Sequence, residues 1–134
     1  MLPGILLAAC GADPQPPLVA SDVEVRAPMP GMSVSAGYMV LTNNSDADIL
    51  INGISSPEFG AVEVHETTLV NGVARMRPIS ELLIRARGSV RLEPGGLHLM
   101  MMRPQRDIAT ITLNLHHGDL LLMSLQTSPT FNGN

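Results

Sequence analysis

Cysteine is nearly missing from this chain: Cys10 is the one cysteine in 134 residues. A single thiol excludes an internal disulfide and a Cys-x-x-Cys redox pair, so the fold rests on packing alone. Lysine is absent, and all eight positive charges are arginine. The net charge is −4 and no basic run occurs, which argues against nucleic acid as a partner. There is no tryptophan and aromatics make up only 2%, so any core must be built from Val, Leu, Ile and Met. No apolar run approaches the roughly eighteen residues of a spanning helix. Internal repeats and a long helical periodicity are also missing.

What is present is a β pattern. Hydrophobic residues make up 45% of a chain of single-domain length, enough to bury a real core. Asp13-Pro14-Gln15-Pro16-Pro17 lies in a stretch, 10–21, that reads as a flexible tether. The domain is expected over 22–126, with a polar, loose tail over 127–134. Strand candidates are 23–27, 33–42 (bent at Gly37), 49–54, 61–69, 73–77, 83–84, 89–92, 97–102, 110–115 and 120–125. Turn residues punctuate them: Asn43-Asn44-Ser45, Ser55-Ser56-Pro57, Asn71-Gly72, Pro94-Gly95-Gly96 and Gly118-Asp119. Short strands at this spacing predict an all-β, two-sheet sandwich.

Two elements carry the chemistry. In Leu97-His98-Leu99-Met100-Met101-Met102, side chains two apart share a face, so His98 stands beside Met100. Taken alone, that strand could equally be core with one satisfied histidine. The second element is a hairpin, because Asn-Gly between β-prone runs is the strongest short-range hairpin signal. With Asn71 and Gly72 as the turn, Thr67 faces Met76, Glu66 faces Arg77 and His65 faces Pro78. His65 and Met76 then become diagonal neighbours on one face, with Glu66 and Arg77 paired on the other. Two imidazoles and two thioethers contain no hard oxygen. Such a set suits Cu(I) and serves Zn(II), Mg(II) or Ca(II) poorly.

The order His65, ten residues, Met76, twenty-one residues, His98, one residue, Met100 resembles the motif of the periplasmic copper chaperones of the PCuAC type. The flanks Val64-His65-Glu66-Thr67, Met76-Arg77-Pro78 and Pro94-Gly95-Gly96-Leu97-His98 resemble that family too. The resemblance covers Val23 to Leu125. It implies a cupredoxin-like Greek-key β-sandwich and an exposed Cu(I) site with His65, Met76, His98 and Met100 as ligands. It also implies a monomeric carrier, not an enzyme, passing copper to a cytochrome oxidase subunit or its assembly factor. Two departures stand out. Many members have Met where this chain has Glu66, and many have a His- and Met-rich tail that 128–134 lacks. A metal-free β-sandwich lipoprotein acting as an interaction or assembly module is the alternative. Blue-copper electron transfer needs a Cys ligand in the domain, and there is none.

Other candidates carry weaker signals. His116 and His117 precede a turn and read as surface imidazoles, with an accessory metal site as the alternative. Met29 and Met32 are expected to cap the sandwich, and Met101 and Met123 to lie in the core. Met102 falls on the ligand face, where packing is the expected role. Near the start, Leu7-Ala8-Ala9-Cys10-Gly11 follows a short apolar run and resembles a bacterial lipobox, with 1–9 as a signal segment. Localisation in the periplasm or at the outer face of the cell membrane, lipid-anchored through Cys10, is the expectation. Mass spectrometry of the protein expressed from its native start checks it. A diacylglyceryl adduct on Cys10 is expected, and an unmodified thiol in the mature protein contradicts it.

Overall fold

The computed structural model describes residues 16–28, 31–105 and 108–131. Twelve strands run in order: β1 (Leu18–Arg26), β2 (Val34–Asn43), β3 (Ile49–Ile51), β4 (Gly53–Ser55), β5 (Phe59–Val70), β6 (Val73–Ile79), β7 (Leu82–Ile84), β8 (Ser89–Leu92), β9 (Leu97–Pro104), β10 (Ile111–His117), β11 (Leu120–Thr127) and β12 (Pro129–Thr130). The described residues contain no helix. The main sheet has the order β11-β10-β4-β5-β9-β2-β1-β12, and β3 pairs with β7 in a small second sheet. The all-β sandwich predicted from strand spacing is the architecture found.

Two long strands organise the sheet. β5 pairs along one edge with β9, from Phe59↔Pro104 to Glu66↔Leu97. Its other edge is shared: β4 meets it at Ile54↔Val62, and β6 takes over from Val64↔Ile79 outward. β2 is shared likewise, with Val34–Gly37 on β9 and Met39–Thr42 on β8. Alternate residues of these strands face inward. Val62, Val64, Leu99, Met101, Met39, Leu41, Leu113 and Leu115 are buried in a single core cluster. Each such side chain contributes about 1.5–3 kcal/mol through its removal from water.

Two expectations, the start of β1 and the tail, are corrected. β1 begins at Leu18, inside the stretch read as tether, because Leu18 is buried and pairs with Asn43. A register shift between Ser21 and Glu24, with Asp22 at φ 52°, breaks the alternation there and hides the first half of the strand from a period-two reading. Gly37 pairs with Leu99 where β2 passes from β9 to β8, and a Cβ there would lie 3.0 Å from Met101 Cε and 3.2 Å from Leu99 Cβ. The missing side chain makes room for β9. The tail is not loose through Thr130, because β12 pairs in parallel with β1, and Ala27 N–H donates to Thr130 O at 2.8 Å.

One polar residue ties the end of β2 to the second sheet. Asn43 is buried, and its Nδ2 donates to the carbonyls of Ala47 (2.8 Å), Ile84 (3.0 Å) and Arg85 (3.2 Å). Its Oδ1 accepts from Ser45 N–H at 2.9 Å and from the Ser45 hydroxyl at 2.7 Å. Asn43→Ala removes this donor from the buried Ile84 carbonyl and the acceptor from Ser45 N–H, and is expected to cost about 1–3 kcal/mol in urea unfolding. A change below about 0.5 kcal/mol, the size of an ordinary surface substitution, contradicts this.

Candidate metal centre

The hairpin that carries His65 and Met76 turns on Asn71 (φ 51°) and Gly72 (φ 78°). Positive φ at both central residues matches the twist of the flanking strands. The register that follows is Thr67↔Met76, Glu66↔Arg77 and His65↔Pro78, as the sequence predicts. Arg77 donates to Glu66 Oε2 at 2.8 and 3.1 Å, on the face away from His65.

A second turn delivers β9. Gly95 sits at φ 82°, Gly96 N–H donates to Glu93 O at 3.1 Å, and Glu93 N–H donates to Leu97 O at 2.7 Å. The Gly96 carbonyl then takes two further bonds, from Thr67 N–H at 3.1 Å and from the His98 imidazole Nδ1 at 3.0 Å. This carbonyl therefore pins the start of β9 to β5 and orients His98 together.

The strand pairing that the sequence leaves open is the decisive one. β5 and β9 are neighbours with His65 directly opposite His98 and Glu63 opposite Met100. The two imidazole centroids are 6.0 Å apart, tilted by 47°. Directly opposed residues share a face, as do residues two apart. His65, His98 and Met100 therefore stand together, and Met76 joins them through Thr67, on the face opposite Val62, Val64, Leu99 and Met101. Exposure is graded across this group. His98 is 5% exposed, the His65 side chain 15%, and Met76 60%.

Hydrogen-bond accounting sharpens the picture. Among the described residues three buried side-chain polar atoms lack a partner, and two of them are His65 Nδ1 and His98 Nε2. Gly96 O can only accept, so neutral His98 carries its proton on Nδ1 and presents the Nε2 lone pair. His65 Nε2 lies 2.7 Å from Glu63 Oε2, an acceptor when ionised, so its free lone pair is on Nδ1. Such orphan nitrogens cost about 1–3 kcal/mol each unless something binds them. Among the described residues no group of three or more His, Cys, Asp and Glu side chains could hold a metal ion. The further donors this face offers beside the two imidazoles are the thioethers of Met76 and Met100, which suit a soft cation.

The other candidates separate from this centre. His116 and His117 end β10 rather than lying in a loop. They bond elsewhere, His116 Nε2 with Ser55 Oγ at 3.1 Å and His117 Nδ1 with Leu50 O at 3.0 Å. Met101 is core as expected, whereas Met123 is half-buried and packs against the core cluster. Met102 is half-buried opposite Ala61 and Val34, whereas Met32 is exposed and does not cap the sandwich. Cys10 and Met29 lie outside the described residues. The residue that sequence reasoning overlooks is Glu63; its position two before His65 in an alternating strand was the available signal.

Comparison with known proteins adds to this geometry. Residues 18–119 match the model of the family described as "LpqE-like: Putative lipoprotein LpqE-like". "Uncharacterized protein RP573" from Rickettsia prowazekii (strain Madrid E) is 32% identical over 78 residues, 58% of this chain and 43% of that protein. The chain thus spans less than half the length of that relative. Among solved structures, the CuI form of DR1885 from Deinococcus radiodurans is 30% identical with a TM-score of 0.65, covering 93% of this chain and 84% of that one. The copper-bound PCuAC domain from PmoF2 has a TM-score of 0.64 at 17% identity, covering 88% and 94%, which shows a shared fold. The cupredoxin-like sandwich is thus the fold of this chain as well.

The His98 assignment is open to direct measurement. Nitrogen-15 NMR of the metal-free protein is expected to show His98 as the Nδ1–H tautomer. A His98 carrying its proton on Nε2 contradicts the Gly96 contact.

Proposed function

The chain belongs to the LpqE-like family, and on that footing we propose that it is an extracytoplasmic copper carrier whose cargo, Cu(I), is held by His65, Met76, His98 and Met100. One observation supports this most strongly. Two imidazoles opposed across a strand pair each keep a buried ring nitrogen without a partner, on the face that also bears the two thioethers. The copper-bound forms of DR1885 and of the PmoF2 domain, which share the fold, support copper as the ion.

The mechanism is ligand exchange. Four neutral ligands leave the site with the single positive charge of Cu(I), so an acceptor offering thiolates binds it more tightly. An incoming ligand reaches the ion from the exposed Met76 side, while the buried His98 lets go last. The acceptor is a cytochrome oxidase copper subunit or its assembly factor. Cys10 carries the lipid that keeps the carrier at the membrane. No bond is made or broken in a substrate, so the role is not enzymatic.

A second reading, a metal-free assembly module, draws on the hairpin tip. Leu69 is 76% exposed, and Val70 and Val73 beside it are exposed too. Anaerobic Cu(I) competition titration separates the two. Wild type is expected to bind one Cu(I), and Met76→Ala/Met100→Ala to bind at least about 100-fold more weakly, the upper end of what loss of a mere supporting contact costs. Unchanged affinity in the double variant refutes the ligand assignment, and no binding by wild type favours the assembly module.

A further inference from the structure

Glu63 is a charged residue on the imidazole face, next to His65. It lies two residues before His65 on β5 and directly opposite Met100 on β9, so all three share that face. Its Oε2 is 2.7 Å from His65 Nε2, a short contact of the charge-assisted kind. The other nitrogen of the same ring, Nδ1, is buried and has no partner. The facing histidine is built with the nitrogens exchanged: His98 Nδ1 is tied to the Gly96 carbonyl, and Nε2 is the buried, partnerless atom. One ring is thus oriented by a backbone carbonyl that cannot move without β9. The other is oriented by a carboxylate on a side chain that is 46% exposed.

We propose that Glu63 is a positioning residue for copper binding, holding His65 as the Nε2–H tautomer so that Nδ1 is its metal-facing nitrogen. This rests on the copper-carrier reading above. The physical reason is the usual one for metal-bound histidines. An acceptor behind the ring fixes the tautomer and the ring plane, and a carboxylate there also makes the opposite nitrogen a stronger donor. Glu63 does not touch the ion in this account. It acts through His65.

The test uses the full chain, wild type and the variants Glu63→Gln and Glu63→Ala, with two readouts. In the metal-free protein, nitrogen-15 NMR reports the His65 tautomer. Wild type is expected to show Nε2–H. Glu63→Gln is expected to keep it, because the amide oxygen still accepts, and Glu63→Ala to give a mixture. In anaerobic competition titrations, Glu63→Ala is expected to bind Cu(I) about 10–100-fold more weakly. Glu63→Gln should recover part of that loss, which a general loosening of β5 would not produce. A wild-type His65 protonated on Nδ1 overturns the proposal, as does a Glu63→Ala protein with unchanged tautomer and unchanged affinity. A wild type that binds no Cu(I) at all refutes the carrier reading instead, and the tautomer measured without metal tells the two failures apart.

Discussion

The antiparallel ladder between β5 and β9 is the constraint on which the candidate centre depends. It sets His65 against His98 and Glu63 against Met100. A slip of one residue would turn His65 and Glu63 into the core and bring Val62 and Val64 out to solvent. The core resists this. Val62, Val64, Leu99 and Met101 are all buried on the inner face of the same two strands. At about 1.5–3 kcal/mol each, their burial outweighs the cost of two partnerless imidazole nitrogens at about 1–3 kcal/mol each. The inner face therefore holds the register, and the outer face is free to keep nitrogens that nothing among the described residues satisfies.

Much of this was legible in the sequence, and the limits of legibility have physical causes. The hairpin could be built residue by residue because Asn71-Gly72 fixes a two-residue turn, and a turn fixes the register of everything beyond it. The pairing of β5 with β9 could not be built this way. His65 and His98 are separated by a hairpin, β7, β8 and two further turns, and no local rule sets the register between strands that distant. The likeness to a spaced family motif pointed to the four residues together, but it carried no information on Glu63. The close approach of β9 at Gly37 is not legible locally, because it involves residues more than sixty positions away. The start of β1 was missed where a bulge at Asp22 interrupts the alternation that reveals strands.

On the copper-carrier reading, the gradient of exposure across the site is the functional feature. His98 is buried and bonded to the Gly96 carbonyl, so it is the fixed point of the centre. Met76 stands on β6, which among the described residues pairs only with β5 and is exposed along most of its length. A ligand there can be displaced without disturbing the core. Soft, neutral donors suit the same purpose, since they select Cu(I) while leaving its charge for a thiolate acceptor to neutralise. A site meant for permanent retention would do better enclosed, with a charged ligand of its own.

The central claim is that the outer face of the β5–β9 ladder binds Cu(I) through two nitrogens and two sulfurs. X-ray absorption at the copper edge, on the protein loaded anaerobically with one equivalent of Cu(I), measures this directly. The account predicts a Cu(I) edge with two nitrogen and two sulfur neighbours, the sulfur contribution lost in Met76→Ala/Met100→Ala. A first shell of nitrogen or oxygen alone, or failure to retain the ion, would contradict it.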